Sequence, residues 1–225
     1  MPSFNQIRTV LTDIEGTTTD IRFVHDVLFP YAKNHMDRFV RDNAEQPEVE
    51  KQLIEVAKIA GCENDNLDKI SEALQQWMKK DLKLTPLKTL QGMLWKTGYE
   101  EGDFKGHIYP DASLALSQWH QQGLQLAVYS SGSVQAQQLL YANSTAGDLT
   151  PLFSGYFDTT TGPKRLQESY QSISNELSAQ ASSILFLSDV VEELDAAKAA
   201  GLQTCQLVRD DDMQTGQHPT AESFN

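Results

Sequence analysis

The chain has 225 residues, 40% hydrophobic and 22% charged, enough for one substantial core with room for a smaller accessory domain. Its 18 Lys and Arg against 31 Asp and Glu give a formal charge of −13, which argues against nucleic acid or an anionic membrane as partner, since both are bound by neutralising phosphates. No apolar stretch approaches bilayer length, no basic region and long apolar run open the chain, and Cys62 and Cys205 are too few and too distant for a disulfide framework, so a cytoplasmic protein is expected.

The first element is a strand. Ile7, Val10 and Leu11 with Thr9 and Thr12 are mostly β-branched and dense enough in apolar side chains for a buried position. It ends on Asp13-Ile-Glu-Gly-Thr-Thr-Thr, where Gly16 permits a sharp turn and the polar run Thr17 to Asp20 carries the chain away. Asp13 and Glu15 are thereby expected at the carboxyl edge of a sheet, where ligands bind in open α/β folds. Two acids one residue apart at a strand end suit a single hard cation and can divide two chemical roles between them. Taken alone, Asp-x-Glu marks an ordinary solvated strand-to-loop junction, and its context has to decide.

From Ile21 to about Gly102 the period becomes helical: Phe23, Val24, Val27 and Leu28; then Tyr31, His35, Met36, Phe39 and Val40; then Val49, Leu53, Ile54, Val56 and Ala57; then Leu67, Ile70, Leu74, Trp77 and Met78; then Leu87, Leu90, Leu94 and Trp95. Pro30 either kinks the first run or starts a second helix. Residues 21–104 are therefore expected to form an all-helical cap domain, inserted into a core built from 1–20 and 105–225. The cap reading, a lid that excludes water, competes with helices that merely cover the sheet.

Lys105 to Pro110 reads as the return linker, followed by a helix from Asp111 to Gln122 closed by Gly123, then a strand from Leu124 to Tyr129. That strand runs into Ser130-Ser131-Gly132-Ser133 and a helix to Asn143, a hydroxyl cluster at a helix N-terminus that can offer donors to an anion. After a loop rich in Gly, Ser and Thr, Gly162-Pro163-Lys164 is read as opening a helix to about Leu177, which sets Lys164 against the helix dipole and calls for a compensating anion. A third strand, Ile184 to Leu187, ends at Ser188-Asp189, with Glu192 and Glu193 just beyond, and Thr204 to Val208 forms one more. The tail from Arg209 is acidic, then polar, and carries no pattern. His25, His35 and His107 titrate in a useful range, though surface or packing roles suit them equally.

A carboxylate pair, a hydroxyl cluster, a lysine and another acid thus lie at four element ends that a doubly wound parallel sheet can bring together. Phosphoryl transfer needs this set: Asp13 to attack phosphorus, Mg²⁺ on oxygen ligands, and Ser130 or Ser131 with Lys164 to hold the phosphate oxygens. In these motifs the chain resembles the haloacid dehalogenase superfamily, with Asp13-Ile-Glu-Gly-Thr as its first motif, Ser130 its second, Lys164 its third and Asp189 with Glu193 its fourth. One departure is Glu15, where the superfamily has aspartate. Asp-Ile-Glu-Gly-Thr-Thr-Thr, Val-Tyr-Ser-Ser-Gly-Ser-Val-Gln-Ala-Gln, Tyr-Phe-Asp-Thr and Leu-Phe-Leu-Ser-Asp are together similar to the enolase-phosphatase family, the acireductone synthases of methionine salvage.

That resemblance implies a Rossmann-like α/β core with a helical cap, and conversion of the small phosphorylated diketone 2,3-diketo-5-methylthiopentyl 1-phosphate to acireductone and phosphate. It implies one Mg²⁺ per subunit on Asp13, Glu15 and Asp189, Asp13 as nucleophile, Glu15 as acid or base, Ser130, Ser131 and Lys164 as substrate-binding residues, and a monomer. A small-molecule phosphatase without an enolase step, and a non-catalytic phosphate-binding protein, remain as alternatives.

Overall fold

The computed structural model describes residues 6–210 and 212–224. It separates into two compact units: one runs to Ile21 and resumes at Lys105, and the other is Arg22–Phe104.

The first unit is built on a parallel sheet. Its strands are β1 (Thr9–Thr12), β2 (Gln125–Tyr129), β3 (Gly155–Phe157), β4 (Ile184–Ser188), β5 (Gln203–Leu207) and β6 (Thr220–Ala221), in the order β3-β2-β1-β4-β5-β6. Every pairing is parallel. All four residues of β1 are buried, as a central parallel strand covered on both faces requires, and this explains its continuous rather than alternating apolar pattern. Thr12 lies opposite Val128 of β2 and Leu187 of β4, so the three central strands end within a residue or two of one another. Asp13, Ser130 and Asp189 follow those ends, and the Asp13 amide extends the ladder by donating to the Leu187 carbonyl at 2.9 Å.

Helices α6 (Pro110–Gln121), α7 (Val134–Ala142), α8 (Gln167–Glu176) and α9 (Val191–Ala199) cover the sheet. Leu11, Tyr129, Phe157, Tyr170, Ile173, Phe186 and Leu194 form one apolar cluster beneath the strand ends. Burying each such side chain stabilises by roughly 1.5–3 kcal/mol, a reserve against which polar groups can be held at the sheet edge. Tyr170 connects the two, because its ring packs on Tyr129 and Phe186 while its hydroxyl donates to the Lys164 carbonyl at 2.7 Å.

The second unit is helical. A short turn α1 (Ile21–Phe23) and a π-helical turn Val24–Leu28 lead into α2 (Phe29–Asn43), followed by α3 (Pro47–Ala60), α4 (Leu67–Lys79) and α5 (Thr85–Glu101). Pro30 stands in the first turn of α2, directly after the π-helical turn, and prolines also stand in the first turns of α3 and α5, which follow extended residues, so their missing N–H costs nothing there. Met36, Val40, Leu53, Val56, Ile70, Leu74 and Leu90 form this unit's own core. Among the described residues no helix is long and apolar enough to cross a membrane.

Four expectations change. Helix α8 begins at Gln167, so Lys164 lies in the preceding turn and does not oppose a helix dipole. Strand β3 lies inside the stretch read as loop, because three residues are too short to display a period. The polar run Thr17, Thr18 and Thr19 is fully buried instead of leading outward. The tail, which showed no pattern, supplies β6 at the sheet edge.

Candidate active site

The turn after β1 is wound tightly. The amides of Thr17, Thr18 and Thr19 all donate to the Ile14 carbonyl, and the Gly16 amide donates to the Thr19 carbonyl. Gly16 has φ +76°, and a Cβ there would collide with the Asp189 carboxylate, so both backbone angle and space demand glycine. Each threonine hydroxyl is used: Thr17 with Asp189, Thr18 with the Tyr141 hydroxyl at 2.9 Å, and Thr19 donating to the His107 carbonyl at 2.8 Å. Nδ1 of His107 accepts from the Asp20 amide at 3.0 Å, so this histidine braces the turn. What resembled a solvated exit loop is a buried hydrogen-bond network that fixes Asp13 and Glu15 at its mouth.

The side chains singled out in the sequence converge here. Lys164 Nζ lies 2.7 Å from Asp13 Oδ1 and 2.6 Å from Glu193 Oε2. The Ser188 hydroxyl donates to Glu193 Oε2 at 3.1 Å and reaches Asp13 Oδ2 at 3.4 Å. The Ser130 hydroxyl donates to Glu15 Oε2 at 3.0 Å and accepts from the Gly132 amide at 3.0 Å. Asp189 is held through three of its groups. Its amide donates to the Thr17 hydroxyl at 3.1 Å, that hydroxyl faces Asp189 Oδ1 at 3.4 Å, and Gln206 Nε2 donates to its carbonyl at 3.1 Å.

The electrostatics are those of too many acids for one cation. Burial, then the charge of Asp13, pushes Asp189 up to about 6 and Glu193 up to about 7. The same two causes raise Glu15 above the usual carboxylate range. Burial alone would depress Lys164, but the adjoining Asp13 and Glu193 reverse this and keep it protonated. Asp13, Glu15, Asp189 and Glu193 therefore share a single ammonium, a deficit of positive charge that a divalent cation would correct. The donors are all oxygen, the ligand type of Mg²⁺. Among the described residues no three His, Cys, Asp or Glu side chains form a ready-made metal cluster. The residues still fit Mg²⁺, which takes one or two carboxylates and keeps several waters.

Each residue singled out in the sequence can now be placed. Asp13, Glu15, Ser130, Lys164 and Asp189 meet around the turn after β1, whereas Ser131 is exposed beyond Ser130. The N-terminus of α7 is less open to an anion than its sequence implied. Ser133 caps the Ala136 amide, and Oδ2 of the buried Asp158 accepts from the Val134 amide at 3.0 Å. Sequence reasoning left Glu193 without a role and passed over Ser188, Thr17 and Gln206. In the sequence Glu193 stands only as the companion of Asp189 in the fourth motif, four residues on.

The chain matches the model of the haloacid dehalogenase-like hydrolases over residues 7–201. It is 55% identical to Enolase-phosphatase E1 of Pseudomonas syringae pv. syringae over 218 residues, covering 97% of this chain and 96% of that relative. It is 53% identical to Enolase-phosphatase E1 of Hahella chejuensis over 225 residues, covering 100% and 97%. Among solved structures, the UTR4 protein of Saccharomyces cerevisiae is similar with a TM-score of 0.81 and 34% identity, covering 97% of this chain and 98% of that one. A mutant CbbY of Rhodobacter sphaeroides, in complex with xylulose-1,5-bisphosphate, has a TM-score of 0.59 at 16% identity, covers 97% and 95%, and shares the fold.

Proposed function

The chain belongs to the haloacid dehalogenase-like hydrolases and, within them, to the enolase-phosphatases, and from that membership we propose how its residues carry out the reaction. It is the acireductone synthase of methionine salvage, converting 2,3-diketo-5-methylthiopentyl 1-phosphate to acireductone and phosphate. The observation that carries the assignment of roles is the buried Lys164 ammonium between Asp13 and Glu193, beside a Glu15 held by Ser130. A carboxylate suited to attack, a cation and a second, separately oriented carboxylate, drawn from distant parts of the chain to one sheet edge, support that reading.

Enolisation comes first. Glu15, its proton affinity raised by burial and by Asp13, takes a proton from C1 of the substrate. The electron pair forms the C1–C2 double bond, and the C2 carbonyl oxygen receives the proton from Glu15 to become the enol, which restores the Glu15 carboxylate. Asp13 then attacks phosphorus, forming an aspartyl-phosphate bond and breaking the bond from phosphorus to the C1 oxygen, which takes a proton from water as it leaves. Water cleaves the aspartyl phosphate, regenerating Asp13 and releasing inorganic phosphate. Lys164, with Ser130 and Ser131, binds the phosphate oxygens through this sequence. Glu193 keeps Lys164 in place beside Asp13.

Haloacid dehalogenase-like phosphatases generally use Mg²⁺. In this chain Asp13, Glu15 and Asp189 would hold one such ion per subunit. When bound, Mg²⁺ supplies positive charge that lessens the repulsion between the Asp13 carboxylate and the phosphate. The protein acts as a monomer on this small substrate.

The test is to give the purified protein the phosphorylated 2,3-diketone with and without Mg²⁺, following enol absorbance in the ultraviolet and inorganic phosphate in one sample. Absorbance rising with or before phosphate is expected. Phosphate release with no enol signal would leave a phosphatase of other specificity, and silence in both channels would remove the enzyme assignment.

A further inference from the structure

Arg209, just past β5, makes contacts through every nitrogen of its guanidinium. Its Nε and Nη2 donate to the Thr17 carbonyl at 3.2 and 2.9 Å. Its Nη1 donates to Asp111 Oδ2 at 2.8 Å and to the Glu222 carbonyl at 3.4 Å. The guanidinium carbon lies 4.2 Å from the Tyr109 ring centroid and 5.3 Å from that of Phe224. The Phe224 amide donates to the same Asp111 oxygen at 2.9 Å, which closes the clamp.

Thr17, the residue gripped, is fully buried in the turn after the nucleophile, and its hydroxyl holds Asp189 by amide and carboxylate. Its carbonyl and its hydroxyl thus belong to one rigid residue with a guanidinium on one side and a proposed metal-binding acid on the other. Pinning the tail alone needs no buried cation, because apolar packing of similar volume serves equally well without the cost of desolvating a charge. The planar fork places two donors on one carbonyl, which fixes its direction as well as its position.

We propose that Arg209 is a positioning residue for the Mg²⁺ site: by clamping the Thr17 carbonyl it fixes the hydroxyl that sets Asp189 relative to Asp13. The inference rests on the reading that Asp13 and Asp189 hold Mg²⁺, and it gives the carboxy-terminal segment a part in the reaction although that segment contributes no reacting group. Partners that orient metal ligands typically account for 10–100-fold in metal affinity.

The measurement is isothermal titration calorimetry of the full-length protein with MgCl₂, beside phosphate release at varied Mg²⁺. Arg209→Met is expected to weaken Mg²⁺ binding about tenfold or more, with the substrate KM at saturating Mg²⁺ little changed and part of the affinity regained in Arg209→Lys. Thr17→Val should reproduce the loss, and the double variant should lose no more than either alone. Wild-type Mg²⁺ affinity in folded Arg209→Met, or losses that simply add, would overturn the proposal. If Arg209→Met does not accumulate, Arg209→Lys and Thr17→Val decide, and unchanged affinity in both overturns it. Absence of Mg²⁺ binding by the wild type would overturn the metal reading as well, whereas equal binding in wild type and variants removes the Arg209 role alone.

Discussion

Lys164 Nζ stands 2.7 Å from Asp13 Oδ1, an ion pair whose side chains are 6% and 4% exposed. Two groups so nearly removed from water are strongly interdependent, and removing either leaves the other as an uncompensated buried charge. Lys164→Met is therefore expected to lower both stability and activity. The loss should be about 3 kcal/mol by denaturant unfolding and about 10²-fold or more in kcat/KM for phosphate release. Equal stability of variant and wild type would mean that Asp13 and Glu193 find another counter-charge.

Asp13→Asn keeps the volume and the strand end but replaces the carboxylate proposed to attack phosphorus with a neutral amide. Phosphate release should fall by about 10⁴-fold or more, while the far-ultraviolet circular dichroism spectrum stays that of the wild type. Turnover retained by purified Asp13→Asn protein would eliminate the covalent route.

Glu15→Asp shortens by one methylene the carboxylate that Ser130 orients at 3.0 Å. The enol signal should fall about tenfold or more, with hydrolysis of an already enolised or non-enolisable phosphate ester much less affected. Both activities preserved together would end the assignment of Glu15 to the enolisation proton.

Asp189 adds to an excess of buried negative charge, so it works against the fold when no cation is bound. Asp189→Asn should raise the melting temperature of the magnesium-free protein by about 2–4 °C, the equivalent of roughly 1 kcal/mol at this size. It should also abolish both turnover and any further rise on adding MgCl₂. Stability exchanged for a working site is a general trade in enzymes. A fall in melting temperature would show that the Thr17 and Gln206 contacts outweigh the repulsion.

Asp111 provides a pH test remote from the reacting groups. Burial opposes its ionisation, but the Phe224 amide and Arg209 more than offset this and hold it below the usual carboxylate range. A lowered folded pKa means that its stabilisation is full above the unfolded value, about 3.9, and is lost as pH falls from there through the folded value. Asp111→Asn should cost about 1–3 kcal/mol at pH 7, and the two unfolding curves should converge only below about pH 4. A gap independent of pH would assign the loss to packing.

The parts of this molecule legible in its sequence were those with a period or a boundary. The buried strand before Asp13, the helical stripes from Phe23 to Leu94 and the strand ends at Ser130 and Asp189 each announced themselves through apolar spacing cut off by a polar residue. Glu193, Thr17 and Arg209 did not, because a contact across many residues leaves no local pattern. Thr17 misled for a further reason: a run of three threonines after a glycine has the composition of a solvated loop, and only the closed set of partners Ile14, Tyr141, His107 and Asp189 makes it interior. Lys164 was picked out as electrostatically misplaced, and the structure removes the supposed helix dipole while supplying the anions.

The central place of β1 also orders events in time. Thr9 pairs in register with Gln125, 116 residues later, and Asp13 meets Ser188, 175 residues later. On a ribosome adding about 5–20 residues per second, β1 waits roughly 10–35 s for β4. The helices of Arg22–Phe104 contact mainly one another, and local contacts form early, so that unit can fold while Val10 and Leu11 still lack their sheet. A nascent chain released before β4 would thus carry folded helices and a complete Asp13 motif with no place to lodge it. Assembly of the site therefore waits on β4, although the proposed nucleophile is made 175 residues before Ser188.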